Sequence, residues 1–333
     1  MGQSSNTHQG KAGPFAARTG LIDNELSRVK QLLIGQLESY SGSCFVNEIL
    51  GHFKAISGKM LRPRLVLLSG SVCGGINEKH IIVAAILELI HSATLLHDDV
   101  IDEGEKRRGL ATVNKLCGNE SAVLLGDLLL SCAFRMCSDI EPEIIRIIAD
   151  TTSKVCQGEI RQTQQRENRR LTEDEYIEII KEKSAVFFSN CCMIGAKLAG
   201  ADDAVIQALA EFGLNLGTAF QMTDDLLDIV GDENHAGKTL GTDANKNKLT
   251  LAVIHLLSNL PEDEKDPFCE KMLSAAWDRK KLSNILESKG SMEYCRGKVR
   301  LFTEKAISAL ESLPPGPGKD SLIEIAEYIN SRV

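Results

Sequence analysis

The sequence predicts an all-α protein, and three observations carry the prediction. Of its eight prolines (Pro14, Pro63, Pro142, Pro261, Pro267, Pro314, Pro315 and Pro317), none falls between 64 and 141 or between 143 and 260. Proline inside a helix removes a hydrogen bond and clashes with the preceding turn, so such long proline-free blocks suit helices. Within these blocks apolar residues recur every three or four positions, the helical period. No succession of short alternating strands with turn residues between them interrupts the pattern.

The elements follow in order. Residues 21–40 read as an amphipathic opening helix, and 46–56 as a short one ending near Gly58. Pro63 suits a first helical turn, so 63–73 continues to Gly74-Gly75. Residues 78–102 are apolar almost all round, which predicts a central, buried helix. Helices at 119–138 and 142–166 come next, the second opening on Pro142. Thr172 and Glu175 form a capping box ahead of 173–200, and 202–231 is another long helix. The polar, glycine-containing stretch 232–247 is a loop long enough to carry function. Helices resume at 248–259, 262–288, 291–312 and 319–332, with the PPGPG hinge at 314–318 before the last. No repeat or linker divides the chain, so 21–333 reads as one domain behind a flexible leader, 1–20.

Composition bounds the function. The 333 residues are 43% hydrophobic and 25% charged, ordinary for a globular protein with a large core. The net charge of −8 excludes a generic nucleic-acid footprint, so an anionic substrate needs local cations or metal ions. Ten cysteines without a CxxC pair read as buried thiols in a reducing compartment, which points to the cytoplasm. The longest apolar run, 81–96, contains Glu88 and His91 and reads as too short and polar to span a membrane.

Chemistry concentrates in two acidic clusters. In LLHDDVIDEGEKRRG, Asp98 and Asp102 are four apart and share a helix face, with Asp99 beside them. Three carboxylates at the negative end of a helix repel one another and the dipole, and a divalent cation offsets that cost. Hard oxygen donors favour Mg²⁺. A solvated acidic helix end explains one such cluster equally well. The pattern recurs in FQMTDDLLDIVGD as Asp224, Asp225 and Asp228, and two facing clusters suit several Mg²⁺ ions against a diphosphate. Cations accompany them: Lys59 and Arg62 in GKMLRPR, Arg107 and Arg108 after the first cluster, and Lys183, Lys238 and Lys248 near the other motifs. Arginine forks match phosphate oxygens, and lysine supplies a point charge. His91, two helical turns before Asp98, is either a core histidine or a phosphate donor.

These residues resemble the trans-isoprenyl diphosphate synthase, or polyprenyl synthetase, family. GKMLRP, ELIHSATLLHDDVIDEGEKRRG, GD at 126–127, EKSAVFF, FQMTDDLLDIVGD, GKTLGTD and KLTL stand in the family's order over residues 57–251. The resemblance implies ten or more antiparallel helices around a deep central cavity, a homodimer, and head-to-tail condensation of isopentenyl diphosphate onto an allylic diphosphate such as farnesyl or geranylgeranyl diphosphate. It implies Asp98, Asp102 and Asp224 as direct ligands of about three Mg²⁺ ions, with Asp99, Asp225 and Asp228 completing the triads. It assigns Arg107, Lys183 and Lys238 to the allylic diphosphate, with Lys248 alongside. Lys59, Arg62, His91 and Arg108 go to isopentenyl diphosphate, and Ser184 and Gln221 to the developing carbocation. Met60, Asn247 and Ala252 depart from the usual family residues.

Two other classes use parts of this pattern. A class I terpene cyclase carries Ser or Thr and Glu in its second metal motif, unlike the second Asp triad here. A non-catalytic subunit of a heteromeric synthase is expected to lose aspartates, and all six stand. In the family, aromatics four or five residues before the first aspartate close the product tunnel. Here those positions are the small Thr94 and Ala93. This predicts a long all-trans product, delivered to a membrane without a membrane span in the enzyme, rather than a geranylgeranyl-length one. Phe134 is then the expected deeper floor.

Overall fold

The computed structural model describes residues 19–40, 42, 47, 49–51, 58–231, 240–241, 243, 246, 248–272 and 279–333. Residues 1–18 of the expected leader, most of the expected 46–56 helix and most of the 232–247 loop, Lys238 included, lie outside the described residues.

The described chain is an all-α bundle. After a 3₁₀ turn at Thr19–Ile22 come α1 (Asp23–Glu38), α2 (Leu61–Val72), α3 (Glu78–Ile101), α4 (Val113–Cys117), α5 (Asn119–Met136) and α6 (Pro142–Gln164). Then follow α7 (Glu173–Ile180), α8 (Val186–Leu198), α9 (Asp203–Val230), α10 (Leu251–Ser258), α11 (Glu262–Met272), α12 (Arg279–Ser288), α13 (Ser291–Ala309) and α14 (Pro317–Asn330). The two long apolar helices form the centre. α3 packs on α5 and α2, and α9 on α8 and α13. Along α3, Val83, Ala84, Ala85, Ile86 and Leu87 are all fully buried, as its all-round apolarity requires.

Local chemistry sets the helix ends. The Asn77 side chain accepts from the backbone N–H groups of Lys79 and His80, and His80 Nδ1 accepts from the Asn77 N–H in return. His80 Nε2 lies 3.0 Å from Gly195 O, tying α3 to α8. The Thr172–Glu175 capping box and the first-turn position of Pro142 are as expected.

Three local features depart from the expected elements. The 173–200 helix is broken by a π-helical turn, Lys181–Ala185, between α7 and α8. A two-residue hairpin pairs Lys106 with Ala111 and Arg107 with Leu110. Its turn residues, Arg108 (φ 54°) and Gly109 (φ 80°), are both left-handed, as a two-residue hairpin loop requires. In the 262–288 stretch, residues 273–278 between α11 and α12 lie outside the described set.

Among the described residues, two helices are long and apolar enough to cross a membrane on length and composition alone: Glu78–Ile101, and α5 with its 3₁₀ extension, Asn119–Asp139. For α3 burial in the bundle accounts for the composition. On α5 the outward face carries Leu124 and Phe134, each 68% exposed. Phe134, the expected tunnel floor, is therefore on the outside of this chain. Cys132, Ala133 and Met136 take the inward positions of that turn.

Candidate active site

The C-terminal ends of α3 and α9 meet α6 and the π turn around a cavity of about 460 Å³. Asp98 and Thr94 of α3, Glu159 of α6, Lys183 and Ser184 of the π turn, and Gln221 and Asp224 of α9 all line it. So do Arg62, His91, Arg107 and Arg108, among the apolar Leu95, Phe187 and Phe220. A second cavity of about 280 Å³, between α1 and α3, shares His91, Leu95, Arg107 and Arg108 with the first.

Asp98 stands at the end of a buried helix beside other carboxylates. Burial, then Glu159 and Asp102, push its carboxyl up to about 6, against the pull of Lys183 and Arg107. Asp99 points elsewhere. Its two oxygens accept from Arg107 Nε and Nη2 at 2.9 and 2.7 Å, a bidentate pair. Asp102 accepts from Arg166 at 3.2 Å and Lys248 at 2.7 Å.

The second triad divides its labour similarly. Asp224 faces the cavity and pairs with Arg332 at 3.2 Å, whose guanidinium also lies 5.9 Å from the Phe220 ring centre. Asp225 is buried and accepts from Tyr176 Oη at 2.6 Å and Gln221 Nε2 at 2.8 Å. Burial raises its carboxyl while those two hydrogen bonds hold it down. Asp228, 2% exposed, accepts from the Asp243 backbone N–H at 3.2 Å.

Cations surround the aspartates. Lys183 contacts Glu159 at 2.5 Å and donates to Gln162 at 2.8 Å. Burial pulls its amine down, but Glu159 and Asp98 carry it above the usual lysine range. Ser184 Oγ donates to Gln221 Oε1 at 2.6 Å. Arg62 lies over the faces of Phe187 and Phe188, at 4.8 and 5.1 Å, with its Nε buried and unpaired. Burial and three arginines push His91 well below the usual imidazole range, so it is neutral at neutral pH. Glu88, facing Arg62 and Arg108, has its carboxyl raised by burial and a buried unpaired Oε2.

The expected residues thus divide into two groups. Asp98, Asp224, Arg62, His91, Arg107, Arg108, Lys183, Ser184, Gln221 and Thr94 converge on the cavity. Asp99, Asp102, Asp225, Asp228 and Lys248 are instead engaged around it. Lys59 is exposed and donates to Tyr328 Oη at 2.9 Å. Ala93 is fully buried in the core and lines neither cavity. Glu159, Gln162, Arg166, Tyr176 and Arg332 belong to the site without any spacing signal in the sequence, because each reaches it from a segment packed there by the fold.

Among the described residues no three His, Cys, Asp or Glu side chains converge into a ready-made metal cage. The donor set nevertheless fits a hard divalent cation. Carboxylates stand on both walls, one of them raised by burial and by neighbouring negative charge, and the chain's own cations now sit on Asp102 and Asp224. Opposed carboxylates with surrounding arginines and lysine suit metal ions shared with a phosphate ester.

Comparison with known proteins agrees with this geometry. The sequence profile of the polyprenyl synthetase family matches residues 44–288. The chain is 32% identical over 316 residues to octaprenyl diphosphate synthase of Escherichia coli K12, covering 94% of this chain and 97% of that protein. It is 33% identical over 282 residues to geranylgeranyl diphosphate synthase of Methanosarcina mazei, covering 83% and 86%. A crystal structure of polyprenyl synthase from Caulobacter crescentus, complexed with calcium and isoprenyl diphosphate, superposes with a TM-score of 0.87 at 30% identity, covering 93% of this chain and 95% of that one. A prenyl-transferring enzyme of all-α fold is what the bundle and its twin aspartate motifs define. The chain belongs to the polyprenyl synthetase family, the trans-isoprenyl diphosphate synthases.

Proposed function

We infer that this prenyltransferase makes a long all-trans polyprenyl diphosphate, condensing isopentenyl diphosphate onto an allylic primer with Mg²⁺. The observation that carries the long product is Thr94. It lines the cavity one turn below Asp98, and its hydroxyl is spent on His91 O at 2.8 Å. Thr94 therefore presents a small, apolar surface to the cavity, at a position where the family resemblance puts an aromatic ring in short-chain enzymes. Relatives of both lengths match this chain about equally, so the wall rather than overall similarity carries the argument.

In this reading Asp98, Asp102 and Asp224 hold three Mg²⁺ ions, which supply positive charge to a departing diphosphate. Arg107 and Lys183 hold that diphosphate, with Lys248 keeping Asp102 in place. Arg62, neutral His91 and Arg108 hold isopentenyl diphosphate, with Lys59 beside them. Fixing the two substrates side by side replaces a collision with a near-attack geometry. Ser184 Oγ and Gln221 Oε1 present oxygen to the allylic cation, while Phe187, Phe220 and Leu95 keep water from quenching it. The outward face of α5, with Leu124 and Phe134, supports a homodimer covering it. Buried free thiols such as Cys191 and Cys192 support a cytoplasmic location.

The test is product mass after incubating the purified chain with isopentenyl diphosphate, farnesyl diphosphate and Mg²⁺. A ladder running well past four isoprene units is expected. A product that stops at three or four units overturns the long-chain assignment, and no incorporation overturns the reaction.

A further inference from the structure

The π turn is gripped from two sides by helix backbone. A Cβ on Gly158 of α6 would stand 2.4 Å from Lys183 N and 2.8 Å from its Cα. A Cβ on Gly217 of α9 would stand 2.6 Å from Ala185 Cα. No side chain fits at either contact without moving the turn's backbone. Each glycine is followed four residues later, on the same helix face, by a glutamine that accepts from the side chain projecting there. Gln162 Oε1 accepts from Lys183 Nζ at 2.8 Å, and Gln221 Oε1 accepts from Ser184 Oγ at 2.6 Å. A π turn carries one residue more than an α-turn, and here two successive side chains, Lys183 and Ser184, enter the same cavity.

We propose that Gly158 and Gly217 are positioning residues, each forming with the glutamine one turn on a clamp that sets how Lys183 and Ser184 project into the cavity. The α6 clamp, Gly158 with Gln162, aims the ammonium at the allylic diphosphate. The α9 clamp, Gly217 with Gln221, aims the hydroxyl and amide oxygens at the developing cation. The roles given to Lys183 and Ser184 rest on the proposed function. The clamp itself rests on the backbone contacts and hydrogen bonds.

Four variants test it by steady-state kinetics with each substrate varied, alongside Tm. Gly158→Ala and Gln162→Leu are expected to raise the allylic KM about tenfold or more, the effect of losing one charge-assisted contact, with the isopentenyl KM changed less than about threefold. Gly217→Ala is expected to act on kcat. Gly195→Ala is the control. Its Cβ would stand 2.3 Å from Val66 O, where α8 meets α2, and none of the cavity-lining groups is involved. It is expected to lower Tm without altering the balance between the two KM values. The clamp is overturned if the control reproduces the imbalance, or if the glycine variants lower Tm alone or weaken both substrates equally. Gln162→Leu adds no bulk against the backbone, so if Gly158→Ala does not fold, an unchanged allylic KM in Gln162→Leu is decisive against the proposal. A wild-type enzyme that does not condense these substrates would instead refute the function.

Discussion

Asp99→Asn separates two roles that the sequence leaves merged. As a member of a metal triad, Asp99 would lose a ligand on this change and the enzyme would lose kcat. The structure gives it another task. Both its oxygens are bound to Arg107, and the two side chains are only 11% and 27% exposed. Asparagine keeps the shape, but it removes the charge and turns an NH₂ toward the guanidinium. A charge-assisted hydrogen bond in such a site is worth about 1.5–3 kcal/mol. About 2 kcal/mol corresponds to roughly a 30-fold loss of kcat/KM, expected for the allylic substrate if Arg107 holds it as proposed. The decisive assay is a double-mutant cycle with Arg107→Leu. If Asp99 acts only by holding Arg107, the double variant is no worse than Arg107→Leu, and the coupling energy equals about 2 kcal/mol. Additive losses would refute the reasoning, as would an Asp99→Asn enzyme as dead as one lacking Asp98.

Other expectations follow from the same geometry. Because burial raises the Asp98 carboxyl to about 6, above its unfolded value, the folded state binds the extra proton and stability falls as pH rises from about 4 to 6. Asp98→Asn should therefore abolish turnover yet raise Tm above pH 6 in the absence of divalent cations. That advantage should vanish near pH 4, and a pH-independent difference in Tm would contradict the assignment. Arg332→Ala removes a one-quarter-exposed cation from Asp224, and the Mg²⁺ concentration for half-maximal rate should fall about two- to fivefold. A rise would mean that Arg332 serves the substrate instead. Thr94→Phe should shorten the product, read by mass, because the ring enters the cavity. Ala93→Phe should mainly overpack the core, costing about 1–3 kcal/mol in a denaturation curve.

The fold was legible because its signals are local. Proline spacing, the Thr172 cap and the all-round apolarity of 78–102 each depend on a few neighbouring residues, and each has its counterpart in the bundle. The π turn was not legible, since nothing in KEKSA differs from an ordinary helical stretch. Its register comes from glycines on α6 and α9, distant in sequence. Phe134 failed for a related reason. An apolar residue on an apolar helix reads the same whether it faces the core or the outside, and only the packing of α5 on α3 decides. Ser184 and Gln221 came from the family resemblance, and within the site spacing found the acidic clusters and the cations near them. It could not find Glu159, Gln162 or Arg332, whose positions are set by tertiary packing.

The triads show how far spacing alone can be trusted. Consecutive residues on a helix point about 100° apart, so two adjacent aspartates aim in different directions. The structure uses that constraint twice. Asp98 and Asp224 face the cavity, while Asp99 and Asp225 turn into the wall and fix its donors, Arg107 in one case, Tyr176 and Gln221 in the other. The third aspartates are anchored in turn. Lys248 and Arg166 hold Asp102, and the Asp243 backbone N–H donates to Asp228. Each triad thus sets one carboxylate on the cavity, with its neighbours anchored around it. Asp99 and Asp225 are spent on the site's own donors, while Asp102 and Asp224 hold cations of this chain that a metal ion can replace. Burial first, then Glu159 and Asp102, push the Asp98 carboxyl up to about 6, and it is there that an incoming divalent cation gains most.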